Sequence, residues 1–95
     1  MSKLKEVEKQ LNISEEDEIQ IAFEIDLINR IISLREKKGL SQAELAEMAK
    51  IKQSQLARFE KATHSPQLNS VLKILYPLGY TLKLEKIESY LKSYE

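Results

Sequence analysis

The chain has 95 residues, 42 % of them hydrophobic and 32 % charged, with zero net charge; this is the make-up of one small soluble domain. The absence of cysteine and a single histidine, His64, exclude disulfide frameworks and thiolate metal sites and argue against a conventional zinc site. With no glycine-rich loop either, they leave no constellation for an enzyme. No apolar run approaches the roughly 20 residues of a membrane span, and the N-terminus lacks the apolar core of a secretion signal, so a cytoplasmic protein is expected.

Leu4, Val7 and Leu11 are spaced three and four apart, which predicts a short helix over residues 1–11. Asn12, Ile13 and Ser14 break it. Ser14 with Asp17 three residues on, and Glu15, Glu16 and Asp17 in a first turn, predict the start of a long helix at Glu15. Gly39, after the basic Arg35, Lys37 and Lys38, predicts its end at Lys38. That helix carries two apolar stripes, Ile21, Ile25, Ile28 and Ile32 against Phe23, Leu27, Ile31 and Leu34. A domain of this size rarely covers both, so one stripe is expected on the core and part of the other against a second chain.

Ser41-Gln42-Ala43-Glu44 has the form of a capping box and opens a helix over Gln42–Ala49. Another is expected over Gln53–Glu60, with Leu56 and Phe59 turned inward. Ser65-Pro66 reads as an N-cap and first helical residue, opening a helix whose Leu68, Val71, Leu72 and Leu75 share a face. Pro77 is expected to end it near Tyr76, with Gly79 reversing the chain. Tyr80-Thr81-Leu82-Lys83-Leu84 alternates with period two and predicts a short strand. Ile87, Tyr90, Leu91 and Tyr94 then predict a short amphipathic helix.

The zero net charge conceals an asymmetry. Residues 1–26 carry three lysines against eight acids, residues 27–83 ten basic against four acidic residues, and residues 84–95 two against three. A basic middle after an acidic start suggests two surfaces with different partners. Within the basic part, Ser41–Lys61 is the informative stretch. Leu45, Ala46, Ala49, Ile51, Leu56 and Phe59 fall at the buried spacings of two short helices joined by a tight turn, and a small residue at Ala46 lets them cross closely. The second helix is then free to enter a major groove. Its outward residues Gln53, Ser54, Gln55, Ala57 and Arg58 include groups that bond base edges: Gln pairs with adenine, Arg with guanine, Ser with either. Any small helical bundle can show such a hairpin, so periodicity alone leaves DNA binding open.

The run from Leu34 to Ala46, LREKKGLSQAELA, resembles the start of Cro/C1-type (XRE-like) helix-turn-helix domains. So do Gln53-Ser54-Gln55-Leu56-Ala57-Arg58-Phe59-Glu60 and the later Ser65-Pro66 and Leu78-Gly79-Tyr80, in order and at the family spacing over about residues 26–84. The resemblance implies a mostly α, five-helix lambda-repressor-like domain that binds operator DNA as a two-fold homodimer and needs no cofactor. Three parts follow from it: an N-terminal helical extension (1–25), the helix-turn-helix domain (26–80), and a C-terminal strand and short helix (81–95).

Carried onto this chain, the family pattern implies that Gln42 bonds a phosphate, that Gln53, Ser54 and Arg58 read bases beside Gln55, and that Lys61 and Thr63 contact phosphate. Arg35 and Glu60 match the family's internal salt bridge. There are departures. Lys50 stands where the turn usually has glycine, Lys52 is an N-cap that cannot cap but can reach phosphate, and Ala62 replaces a later glycine. His64, in the same loop, reads as a phosphate neighbour or plain surface.

The long acidic start and the Leu-Gly-Tyr-Thr-Leu-Lys-Leu segment resemble HigA-type antitoxins of toxin–antitoxin modules. In the similar HipB-type antitoxins the two-fold mates pair such strands into a lid. The function implied is a DNA-binding repressor that binds a cognate toxin and regulates its own operon. The alternatives are a stand-alone regulator of the same family, or a protein-neutralising module whose DNA binding is secondary. Leu4, Val7 and Leu11, with Phe23 and Leu27, offer apolar anchors for a basic protein partner.

Overall fold

The structure, a computed structural model, describes residues 14–92. The helix expected over residues 1–11, with Leu4, Val7 and Leu11, lies outside them. The described residues form five helices and no sheet: α1 (Glu15–Lys37), α2 (Gln42–Ala49), α3 (Gln53–Glu60), α4 (Leu68–Leu78) and α5 (Ile87–Lys92).

Each boundary of the first three helices has a local cause. Ser14 caps α1, its Oγ accepting from the Asp17 N–H at 3.2 Å, ahead of a first turn of four acids that suits the positive end of the helix dipole. At the other end Gly39 takes φ +70°, and the Gly39 and Leu40 N–H groups bond back to Glu36 and Arg35 carbonyls. The capping box of α2 is complete: Ser41 Oγ accepts from the Glu44 N–H at 3.0 Å, and the Ser41 N–H donates to Glu44 Oε1 at 2.9 Å. Lys50 ends α2 in the left-handed conformation at φ 59°, ψ 42°, turning the chain into α3. Lys52 caps α3 by backbone geometry alone, without a side-chain bond.

The chain after α3 departs from expectation at three points. Ser65-Pro66 does not open α4; the helix starts at Leu68 behind an extended Gln67 (ψ 139°), whose carbonyl accepts the first helical bond from Val71. The fixed φ of proline suits extended backbone as well as a first turn, and here the extended option prevails. Pro77 does not end the helix, which runs to Leu78. A proline in a last turn removes one bond, while Leu75 and Leu78 are both in the core and the Gly79 and Tyr80 N–H groups close the end on Tyr76 and Leu75 carbonyls. The strand expected over residues 80–84 does not form: 80–86 has no regular structure. A strand exists only by bonding another, and no second extended segment among the described residues is available to it.

The core joins Ile31 of α1, Leu45, Ala46 and Ala49 of α2, Leu56 of α3, and Val71, Ile74, Leu75 and Leu78 of α4, with Leu27, Leu34, Leu40, Ile51 and Phe59 packed around it. Of the two stripes on α1, the one through Leu27, Ile31 and Leu34 serves the core. The other buries Ile28 but leaves Ile21 and Ile25 exposed. α2 lies between α3 and α4 and packs on both, and α1 closes the domain against the same two helices. Ala46 is buried at the crossing of α2, as its size requires.

Candidate nucleic-acid interface

Arg35, near the end of α1, reaches the last residue of α3. Its Nε donates to Glu60 Oε2 at 2.8 Å and its Nη2 to Glu60 Oε1 at 3.0 Å. This two-pronged pair is the strong geometry of guanidinium and carboxylate. Arg35 Nη1 donates to the Leu40 carbonyl at 2.9 Å, so one side chain ties the end of α1, the loop into α2 and the end of α3. The side chains are only 13 % and 8 % exposed. Bonding to Glu60, more than the burial that opposes it, raises the Arg35 pKa above its ordinary value, so the guanidinium stays charged. Between residues 48 and 84 Glu60 is the one acid in the sequence. Its pairing leaves Lys50, Lys52, Arg58 and Lys61 as a basic field around α3.

With α3 anchored at its end and by Leu56 in the core, its other side is open. Gln53, Ser54, Gln55 and Arg58 are exposed along it, and Lys52 is exposed at its start. Gln55 Nε2 donates to Ser70 Oγ of α4 at 3.4 Å, a long bond that leaves its carbonyl oxygen open. Lys61 and Thr63 are exposed in the loop that follows. Ala62 takes φ +57°, and Thr63 Oγ1 lies 3.0 Å from His64 Nδ1, which shapes this loop. Donors that suit base edges and donors that suit phosphate are thus adjacent on one surface.

Gln42 sits differently from its neighbours in this set. It is half-buried, and its Nε2 donates to Glu60 Oε1 at 3.0 Å, joining the clamp. Neither this bond nor the Leu40 carbonyl had a signal in the sequence, because both arise from how the loop between α1 and α2 folds onto α3. Phe23 and Leu27 lie elsewhere, along a groove of about 850 Å³ between α1 and residues 80–90 that no residue of α3 lines. There the Phe23 ring meets Tyr90 of α5 with centroids 5.6 Å apart. Among the described residues no helix is long and apolar enough to cross a membrane, and no group of acids and histidine is placed to hold a metal ion.

Comparison with known proteins agrees with this geometry. A chain of a solved structure described as a toxin–antitoxin module from Streptococcus pneumoniae superposes with a TM-score of 0.67 at 36 % identity, covering 87 % of this chain and 90 % of that one. An uncharacterized HTH-type transcriptional regulator of Haemophilus influenzae is 38 % identical over 79 residues, 83 % of this chain and 80 % of the relative. The helix-turn-helix family profile matches residues 31–84, from the middle of α1 to just beyond α4. On that match, and on the two-helix unit it contains, the chain belongs to the helix-turn-helix family of Cro/C1 type.

Proposed function

We propose that the chain is a sequence-specific DNA-binding repressor that acts as an antitoxin, binding a cognate toxin and repressing the operon that encodes both. The observation that carries the first half is the exposed face of α3. Gln53, Ser54, Gln55 and Arg58 sit on a helix fixed by the Arg35–Glu60 clamp, within a local field of lysines. A helix held at one end and open along one side is what a major groove accepts. Lys52, Lys61 and Thr63 supply phosphate contacts at its two ends, and Gln42 a further one next to the clamp. A homodimer doubles this half-site on successive turns of one DNA face.

Support for the second half comes from the S. pneumoniae likeness and from the charge of the acidic start, −5 over residues 1–26. That charge is repelled by phosphate and attracts a cationic protein, as a toxin that must hold RNA would be. Leu4, Val7 and Leu11, together with Phe23 and Leu27, supply the apolar anchors. The second reading is a stand-alone regulator without a toxin partner, favoured by the H. influenzae relative, whose name speaks of transcriptional regulation.

Two experiments test the halves separately. A gel shift with the DNA upstream of the chain's own gene is expected to show a complex that weakens steeply with salt; equal affinity for unrelated DNA would overturn operator recognition. Co-expression with the adjacent open reading frame is expected to yield a complex and to relieve growth arrest. A neighbour that neither arrests growth nor co-purifies leaves the stand-alone regulator.

A further inference from the structure

Helices α3 and α4 both pack on α2. Among the described residues one side-chain hydrogen bond joins them directly, from Gln55 Nε2 to Ser70 Oγ at 3.4 Å. Gln55 is the third residue of α3 and exposed; Ser70 is the third residue of α4 and half-buried. Each is followed in its own helix by a core residue, Leu56 and Val71. Both ends of the bond are therefore carried by backbone that the core holds in place.

A glutamine amide on a recognition helix is ambivalent. Its two ends have nearly the same shape, and turned one way it offers donors, turned the other an acceptor. In the major groove guanine and thymine present oxygen acceptors, whereas adenine and cytosine present amino donors. With the Gln55 Nε2 drawn to Ser70, the end left for a base is Oε1, an acceptor. We infer that Ser70 is a positioning residue for base reading: it turns the Gln55 amide so that Gln55 selects a base with an amino group, adenine or cytosine, over guanine and thymine.

This role of Ser70 deepens the DNA-binding proposal and rests on it. Ser70 acts through Gln55 and needs no contact with DNA of its own. From Leu68 to Leu78 the sequence has no acidic residue, so no carboxylate on α4 competes with the hydroxyl for Nε2. Ordering the amide before DNA arrives also removes part of the cost of fixing a long, rotatable side chain on binding. At 3.4 Å the bond biases the amide rather than locking it. The preference it supplies is therefore about two- to tenfold, the range of one neutral hydrogen bond.

Selection of binding sites by the full chain from randomised duplex DNA tests this role. The wild-type chain is expected to enrich adenine or cytosine at one position in each half-site, and Gln55→Ala to lose that preference. Ser70→Ala is expected to reduce it by about two- to tenfold at that position alone, with Tm and the other positions unchanged. Ser70→Thr, which keeps the hydroxyl, is expected to retain it. A Ser70→Ala chain that selects as wild type does, or that binds all sequences more weakly with its preferences intact, overturns the role of Ser70 and leaves operator recognition standing. So does enrichment of guanine or thymine at the position that Gln55→Ala affects, or a Gln55→Ala chain that changes no position. A wild-type chain that enriches no sequence overturns operator recognition itself, and the role of Ser70 with it.

Discussion

Arg35 and Glu60 are 25 positions apart in sequence, yet they form the one buried ion pair among the described residues, with both guanidinium–carboxylate bonds at 3.0 Å or less. The contrast is the Asp26–Arg30 pair on α1, one turn apart and with Arg30 largely in solvent. An exposed pair of that kind contributes about 0–1 kcal/mol. The Arg35–Glu60 pair joins two helices that the chain connects only through α2, and so governs how α3 is presented.

Glu60→Ala leaves Arg35 with the Leu40 carbonyl but without its counter-ion, in a site that is 13 % exposed. Breaking a buried pair from one side costs about 3–5 kcal/mol, and the residual exposure puts this case near the lower figure. Chemical denaturation measures it, with the exposed Glu47→Ala as reference. Equal stability of the two variants would show that the clamp adds nothing.

Lys50 and Ala62 both hold positive φ, at 59° and 57°, where a side chain strains the backbone. Lys50→Gly and Ala62→Gly should each stabilise the fold by about 0.5–1 kcal/mol, the left-handed penalty less the entropy glycine adds to the unfolded chain. For a domain of this size that is a rise in Tm of a few degrees, on the order of 4–8 °C per kcal/mol. A fall in Tm at Lys50 would mean that the lysine side chain stabilises the turn by a route its backbone does not show.

Glu44 gives the fold an acid-sensitive bond. Its bond from the Ser41 backbone N–H, with the Ser41 hydroxyl second, holds its carboxyl below the ordinary glutamate value. The depressed value belongs to the folded state, so the unfolded chain takes up the proton first as pH falls. The stabilisation is therefore complete above the ordinary glutamate pKa of about 4.3 and disappears as pH drops through the lower folded value. Glu44→Gln keeps an acceptor for the cap and removes the titration. Its melting temperature should lie below wild type near neutrality and converge with it in acid. Parallel curves down to about pH 3 would show that the carboxylate charge is not what the cap uses.

Much of the helix-turn-helix unit was readable in the chain because its causes are local. The bounds of α2 and α3 follow from Ser41, Glu44 and the apolar spacing, and Ala46 follows from size. The Arg35–Glu60 pair is legible through the family pattern alone, and the structure holds the two residues in a two-pronged ion pair. What failed was decided by distant or missing partners. The alternation from Tyr80 to Leu84 is that of a strand, but alternation supplies no neighbour to bond. Pro77 has a local rule against it, and two core leucines override the rule. The Gln42 amide had two possible acceptors, a phosphate outside the protein and a carboxylate 18 residues away, and spacing cannot choose between them. In the structure it is on Glu60.

The recognition face yields the sharpest separation of roles. Arg58 stands in the last turn of α3, exposed, one turn beyond Ser54, while Lys61 follows the helix in a loop. On the DNA-binding reading proposed above, the Arg58 guanidinium on the helix face would meet a base edge, and the Lys61 ammonium off its end would meet phosphate. Arg58→Ala is therefore expected to cost about 1–3 kcal/mol on the operator and to relax preference at one position in each half-site. Lys61→Ala should weaken operator and random DNA alike, and lower the salt slope of binding by about one unit. Among the described residues Arg58 makes no side-chain bond that would confound the reading, and Lys61 is equally clear of the Arg35–Glu60 clamp, so neither change should move Tm. Gel shifts over a salt series with operator variants give both quantities at once. Should Arg58→Ala weaken all sequences uniformly while Lys61→Ala alters preference, the groove would be read from the loop and α3 would serve as its support.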